Sequence, residues 1–187
     1  MSAQARMAEE SLHSVVPVGF GRASIEAFKA GMRGVAQGVA LATVARGAER
    51  GGLTISSFAS LSAEPPRMLA CINNTAGAFA LLQRGGNLAI NVLAQGQAAL
   101  ALRFSSSSVK GEARFDEGRW GPGKSGAPVL QDAAVVFEGR IKDMIDAGSH
   151  TIVVLDVVAA CASPDRQALL YVDGRFAVLG AEAADEC

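Results

Sequence analysis

The alternation of apolar and polar positions predicts a chain built mainly from β-strands. The strand-like runs lie at 39–45, 53–62, 68–73, 88–93, 133–145, 150–160, 168–172 and 175–179. Turn residues join several successive runs, and this favours antiparallel pairing. The clearest turn signal is Asp173-Gly174. We therefore expect a mostly β, antiparallel barrel with a few short helices, and not a doubly wound α/β sheet.

Three short segments have helical spacing. The first follows Ser24, which is a good N-cap. The second is predicted at 76–84 with Thr75 as its N-cap, and the third at 97–104. These helices are too few and too short to form a layer of their own.

One domain is predicted at 23–180, preceded by a flexible arm at 1–22 and followed by a frayed end at 181–187. Within the domain, residues 105–126 form a serine- and glycine-rich stretch, irregular apart from a short strand predicted at 112–115. A loop of this length inside a compact domain is often functional.

Composition narrows the function classes. Half of the 187 residues are hydrophobic and the formal net charge is −1, so the chain is globular and has no basic excess for a nucleic acid. The three cysteines stand far apart, which favours a reducing compartment. Neither a signal peptide nor an apolar run of about 18 residues is visible. We expect a cytoplasmic protein that does not enter membranes.

Residues 118–125 read GRWGPGKS and match the letter pattern of a phosphate loop. A phosphate loop joins a buried strand to a helix, whereas the segment before this motif is mostly charged. Pro122 also removes one backbone N–H from the cradle. The motif is interpreted as an ordinary glycine-rich loop.

The side chains offer little redox or hydrolytic chemistry of their own. His150 is the one histidine inside the predicted domain, and no close set of metal ligands is present, so no metal site is predicted. An enzyme with this sequence would depend on a bound cofactor for the difficult chemistry.

Two features suit a polar planar ligand that carries a phosphate. The hydroxyl face of Thr54, Ser56 and Ser60 is one, with a solvated strand face as the alternative. The other is the helix start at 73–77, where free N–H groups favour a phosphate, with plain capping as the alternative. Lys110 would add a positive charge.

Five sequence blocks, in this order and spacing, resemble the flavin reductase family, which has the FMN-binding split-barrel fold and includes the reductase components of two-component monooxygenases. The resemblance covers residues 28–179. The blocks are GLTISSFASLSAEPP (52–66), CINNTAGAFALLQRGGNLAINVLA (71–94), GAPVLQDAAVVFEGRI (126–141), GSHTIVVLDVV (148–158) and LLYVDGRF (169–176).

The resemblance implies a set of site residues. Flavin contacts are implied at Thr54, Ile55, Ser56, Ser57, Phe58, Ser60, Leu61, Asn73, Thr75, Ala76, Ser105 and Lys110. The nicotinamide side is implied at His150, Tyr171 and Arg175, with His150 as the catalytic residue. Two positions depart from the family pattern: Ser149 stands where an acidic residue is frequent, and Gly139 where cysteine is frequent.

The implied activity is NAD(P)H-dependent reduction of FMN or FAD by hydride transfer to flavin N5, with reduced flavin supplied to a partner monooxygenase. NADH is mildly preferred over NADPH because no arginine cluster for a 2′-phosphate is apparent. A homodimer with flavin near the subunit interface is also implied. The alternatives are a flavoprotein that reduces a corrinoid or metal complex, and a flavin-binding module without turnover.

Overall fold

The computed structural model describes residues 21–180. The arm predicted at 1–22 lies outside the described residues except for its last two, and so does the end predicted at 181–187. The chain divides between Arg33 and Gly34 into two compact units, and the domain limits given above remain a prediction. The elements are α1 (Ile25–Arg33), β1 (Gln37–Gly38), β2 (Ala40–Arg46), β3 (Glu49–Ile55), β4 (Phe58–Ser62), β5 (Arg67–Asn73), a first 3₁₀ helix (Gly77–Leu81), β6 (Asn87–Val92), α2 (Ala98–Ser105), a second 3₁₀ helix (Gly111–Asp116), β7 (Trp120–Pro122), β8 (Pro128–Leu130), β9 (Val135–Asp146), β10 (His150–Ala162), β11 (Leu170–Val172) and β12 (Arg175–Ala177).

Helix α1 begins where the sequence predicts. The Ser24 hydroxyl accepts a hydrogen bond from the Ala27 N–H at 3.1 Å, which is the bond expected of an N-cap. The helix ends at Arg33, before Gly34, because glycine favours conformations outside the helix.

The second unit is built on one seven-stranded antiparallel sheet in the order β3-β2-β6-β9-β10-β5-β4. Strands β3 and β4 follow each other in the chain, yet they lie at opposite edges of the sheet. Only Ser56 and Ser57 separate them, so three steps of about 3.8 Å must join the two edges. The sheet is therefore rolled into a barrel, and the prediction of a mostly β, antiparallel fold is confirmed.

The predicted strand at 53–62 is corrected by this closure. It is two strands, and the chain crosses from one edge of the sheet to the other at Ser56-Ser57. Strand β3 pairs with β2, whereas β4 pairs with β5. A single alternating run cannot show that its two halves have different partners.

Strand β2 is buried on both faces, which divides the core in two. Ala42 belongs to the cluster inside the barrel, together with aliphatic residues such as Ile72 and Ile90. Leu41 points the other way, into a cluster with Phe104 of α2. Helix α2 and the β7-β8 hairpin thus cover one outer face of the barrel.

A buried polar network connects these layers. The Asn91 side-chain amide donates to the Leu41 carbonyl at 3.1 Å and to the Thr43 hydroxyl at 2.9 Å, and its oxygen accepts the Leu130 N–H at 2.9 Å. The Thr43 hydroxyl donates in turn to the Pro128 carbonyl at 2.6 Å. Every member has a partner, so the network fixes β8 against β2 and β6.

The predicted helix at 76–84 is also corrected. The segment forms only the 3₁₀ helix Gly77–Leu81, which has Ala76 at its N-cap and no side-chain cap. Thr75 does not cap it, because its N–H and its hydroxyl both donate to the Asn73 side-chain oxygen at 2.8 Å. This turn contains neither the full α-helical turn nor the helix dipole that the sequence analysis expected.

Residues 111–130 differ from expectation in one respect and agree in another. The strand predicted at 112–115 is part of the second 3₁₀ helix, because Phe115 packs edge-on against Phe104 at 5.2 Å between ring centroids. The phosphate-loop pattern lies in the β7-β8 hairpin, without a following helix. There the N–H and hydroxyl of Ser125 donate to the buried Glu138 carboxylate at 2.9 and 3.1 Å.

Gly139 is required by close packing between β9 and β10. A Cβ atom at this position would lie 2.3 Å from the Asp156 carbonyl oxygen and 2.6 Å from Leu155 Cγ, and the strand register shifts nearby. We expect Gly139→Ala to lower the free energy of unfolding by about 1–3 kcal/mol, as measured by urea denaturation. Gly77→Ala is the control, because its Cβ would meet no atom within 4 Å. Equal stability of the two variants would contradict this account.

Candidate functional site

A cleft of about 1270 Å³ opens along β3. Its walls come from β3, the turn after β5, the first 3₁₀ helix, the end of α2, and the serine-rich loop with the second 3₁₀ helix. Six residues of the predicted site line it: Thr54, Asn73, Thr75, Ala76, Ser105 and Lys110. The tertiary structure thus brings together residues from three separate parts of the sequence.

The other predicted residues do not line this cleft. They are Ile55, Ser56, Ser57, Phe58, Ser60, Leu61, His150, Tyr171 and Arg175. Ile55 is only 6% exposed because its side chain joins the core inside the barrel, and Phe58 packs against the same cluster. Ser60 and Leu61 follow on β4, at the other edge of the sheet. For all nine residues, contact with flavin or nicotinamide stays a prediction.

The floor of the cleft is shaped by a close approach between β3 and α2. A Cβ atom on Gly52 would lie 2.7 Å from the Phe104 ring, so only glycine fits here. The Thr54 hydroxyl donates to the Ala101 carbonyl at 2.6 Å and holds β3 to the helix. Its remaining lone pairs leave it as an acceptor toward the cleft.

The turn after β5 presents polar groups to the cleft. Asn73 and Thr75 are hydrogen-bonded to each other, and both side chains are exposed. The Asn73 amide N–H₂ still has two donors, because its oxygen makes the bonds to Thr75. Asn74 anchors the turn to the β9-β10 connection, since its amide donates to the Gly148 carbonyl at 2.8 Å.

His150 lies beside this turn through strand pairing. It is the register partner of Asn73 in the β5-β10 pair, and it is exposed. Its Nδ1 atom lies 2.9 Å from the Ser149 hydroxyl. The Asn74 backbone N–H donates to the Ser149 carbonyl at 3.1 Å. The residue before His150 is therefore hydrogen-bonded to the turn that lines the cleft.

Arg114 is a cleft residue that the sequence reasoning missed. Its Nη2 donates to the Ser106 carbonyl at 2.8 Å, while Nη1 is shielded from solvent and has no partner among the described residues. Burial lowers the pKa of the guanidinium, because desolvation disfavours the charged form. An anion reaching this group would supply the missing acceptor.

The segment that carries Arg114 is fixed by Arg103 of α2. The Arg103 Nε lies 3.1 Å from the Ala113 carbonyl and 3.2 Å from the Arg114 carbonyl, and its Nη1 lies 2.9 Å from the Glu117 carboxylate. The second 3₁₀ helix is therefore attached to α2 at the side of the cleft.

Arg50 and Glu112 form an ion pair at the cleft lining that the sequence reasoning also missed. The Arg50 Nε lies 2.9 Å from both Glu112 carboxylate oxygens, and Nη2 also contacts the carboxylate. This hydrogen bonding raises the pKa of Arg50 and lowers the pKa of Glu112. These positions are 62 residues apart, and no local pattern connects them.

Within residues 21–180, none of the helices has both the length and the apolar content that crossing a membrane requires. The same residues contain no group of three or more His, Cys, Asp or Glu side chains placed to share a metal ion.

The lining of the cleft thus combines apolar groups, hydroxyl and amide groups, and cations. This composition fits a planar polar ring system attached to a phosphate. The unpartnered Nη1 of Arg114 and the spare donors of Asn73 are the observations that fit an anion.

Comparison with known proteins agrees with this chemistry. Residues 32–180 match the flavin reductase like domain family. The chain is 37% identical over 170 residues to an FMN reductase (NADH) RutF 1 of Methylorubrum extorquens, covering 91% of this chain and 82% of that protein.

Two solved structures share the fold. One is the NADH:FAD oxidoreductase SgcE6 of Streptomyces globisporus C-1027 in complex with NAD and FAD fragments, at 31% identity and a TM-score of 0.77, covering 84% of this chain and 94% of SgcE6. The other is BorF, the flavin reductase component of a bacterial two-component tryptophan halogenase, at 30% identity and a TM-score of 0.76, covering 83% of this chain and 98% of BorF. The predictions of family, split-barrel fold and enzyme class are confirmed. The chain belongs to the flavin reductase family of split-barrel oxidoreductases.

Proposed function

We propose that this protein uses NADH to reduce FMN by hydride transfer from nicotinamide C4 to flavin N5. The observation that carries the proposal is the cleft, whose lining includes Asn73, Thr75, Lys110 and Arg114, the groups that we assign to the flavin phosphate. The relatives from Methylorubrum, named FMN reductase (NADH), support this choice of flavin and donor.

We assign the phosphate end to groups from three segments. The Asn73 amide donates from the turn after β5, while Lys110 and Arg114 add positive charge from the serine-rich loop and the second 3₁₀ helix. Charge-assisted hydrogen bonds to phosphate are about twice as strong as neutral ones. Thr75 Oγ1, which donates its hydrogen to Asn73, can accept a hydrogen bond from a protonated phosphate oxygen.

The ring end is assigned to Thr54 and to the segment 55–61. Since this segment leaves the cleft and continues along an edge strand, we propose that it contacts the isoalloxazine in a homodimer with flavin near the subunit interface. Sedimentation equilibrium tests this point, and a monomer at micromolar concentration would contradict it.

The nicotinamide side is assigned to His150, Tyr171 and Arg175. When bound, the flavin supplies the two-electron acceptor and the nicotinamide supplies the hydride. His150 orients the nicotinamide, and the Ser149 hydroxyl orients the imidazole. Tyr171 stacks edge-on against Phe176 at 5.4 Å in the β11-β12 hairpin, which gives the tyrosine a fixed position.

We also propose that reduced flavin passes to a separate oxygenase component and that the protein works in the cytoplasm, where NADH is available. The likeness to BorF, a component of a two-component system, supports a partner enzyme.

The test mixes the purified protein with NADH or NADPH and with FMN, FAD or riboflavin, and follows absorbance at the nicotinamide band. Oxidation that depends on added flavin, fastest with NADH and FMN, is expected. If neither NADH nor NADPH is oxidised with any of the three flavins, the proposal is overturned. Flavin binding without turnover would make the protein a flavin-binding module.

For His150→Ala we expect the KM for NADH to rise roughly 5- to 30-fold with little change in flavin affinity, because one hydrogen bond to the nicotinamide is worth about 1–2 kcal/mol. Steady-state kinetics at saturating flavin measure this. His150→Gln, which keeps an N–H donor, should recover part of the loss. Unchanged KM and kcat in the alanine variant would leave His150 a purely structural role.

A further inference from the structure

The charges that line the cleft are not equally available. Three cations and two carboxylates line it: Arg50, Lys110, Arg114, Glu49 and Glu112. Among the described residues, Lys110 and Arg114 make no ion pair, whereas Arg50 is paired with Glu112. A ligand therefore meets two cations that are not neutralised and one that is.

The Arg50–Glu112 pair is a fixed structure. Both Glu112 oxygens lie 2.9 Å from the Arg50 Nε, and the guanidinium lies 4.3 Å from the centre of the Phe115 ring. The Glu112 side chain nevertheless remains 66% exposed, while that of Arg50 is 33% exposed. The carboxylate is held in place and still presents negative charge to a ligand in the cleft.

The position of this pair matters for the length of the ligand. Glu112 lines the same cleft as Lys110 and Arg114, the cations assigned to the flavin phosphate, and shares the second 3₁₀ helix with Arg114. A flavin mononucleotide ends at that phosphate. A flavin dinucleotide continues into a second phosphate and an adenosine. The second phosphate would either lie near the Glu112 carboxylate or have to replace that carboxylate as the ion-pair partner of Arg50.

We propose that Glu112 is a specificity-determining residue that makes the cleft favour flavin mononucleotide over flavin dinucleotide. It acts by occupying Arg50 and by placing a carboxylate beside the phosphate end, which is discrimination by repulsion of the larger ligand. This inference rests on the proposed function, because it requires flavin to bind in this cleft.

The test measures Kd values for riboflavin, FMN and FAD by fluorescence titration of the whole protein at low and moderate salt. The wild type is expected to bind FMN roughly tenfold more tightly than FAD. Glu112→Gln is expected to lower the ratio of the Kd for FAD to the Kd for FMN at least about fivefold. Glu49→Gln, which removes a carboxylate of the same cleft that makes no ion pair within residues 21–180, should change the ratio less than about twofold. The effects should shrink at the higher salt concentration.

A double variant tests the part played by Arg50. If the released guanidinium takes the second phosphate, Arg50→Met combined with Glu112→Gln should lose the FAD affinity that Glu112→Gln alone gains. An FAD/FMN ratio that stays the same in Glu112→Gln, with flavin still bound, would overturn this inference and leave the proposed function intact. Absence of binding by any flavin in the wild type would overturn both.

Discussion

Replacing Arg114 by glutamine is expected to weaken FMN binding by about 1.5–3 kcal/mol, the usual value of a hydrogen bond to a charged group. Arg114 is a half-buried cation that lines the cleft, and its Nη1 has no acceptor within the described chain. A phosphate is the part of FMN that would supply one. Riboflavin has no phosphate, so its affinity should change little in the same variant.

Paired titrations of FMN and riboflavin against wild type and Arg114→Gln measure this difference. Lys124→Gln is the matched control, because Lys124 is an exposed cation in the β7-β8 connection and does not line the cleft. An equal loss of affinity for both flavins would mean that Arg114 supports the shape of the loop and not the phosphate. An unchanged FMN affinity would remove Arg114 from the site.

Replacing Asn91 by leucine is expected to lower the free energy of unfolding by about 3 kcal/mol or more, because several buried groups lose their partners at once. Asn91 is fully buried, and its amide connects the Leu41 carbonyl, the Thr43 hydroxyl and the Leu130 N–H. Leucine has the same branched shape and the same number of heavy atoms but offers no donor or acceptor. The β8 strand would lose its bond to β6 and keep only the bond from the Thr43 hydroxyl to the Pro128 carbonyl.

Urea denaturation of Asn91→Leu measures this loss. Asn87→Leu is the matched control on the same strand, because Asn87 is only half-buried and accepts one hydrogen bond, from the Ala45 N–H at 3.0 Å. We expect that control to lose about 1 kcal/mol. Equal losses would show that the buried network adds nothing beyond a single hydrogen bond.

The sequence by itself determined the features that depend on near neighbours. Alternation identified most strands, because burial of one sheet face shows at every second position. Ser24 identified the start of α1, and Asp173-Gly174 identified the last hairpin, where the φ angles are +50° and +75°. The order of five blocks identified the family, and half of the twelve predicted flavin contacts line the cleft.

Only the tertiary structure decided which distant side chains meet. The break at Ser56-Ser57 follows from closure of the barrel, and the change in the role of Thr75 follows from its bonds to Asn73. Arg50 meets Glu112 because the second 3₁₀ helix is attached to α2 beside β3. Periodicity reports which face of an element is apolar, but it contains no information about the partner across the cleft, and the charges of this site are set by such partners.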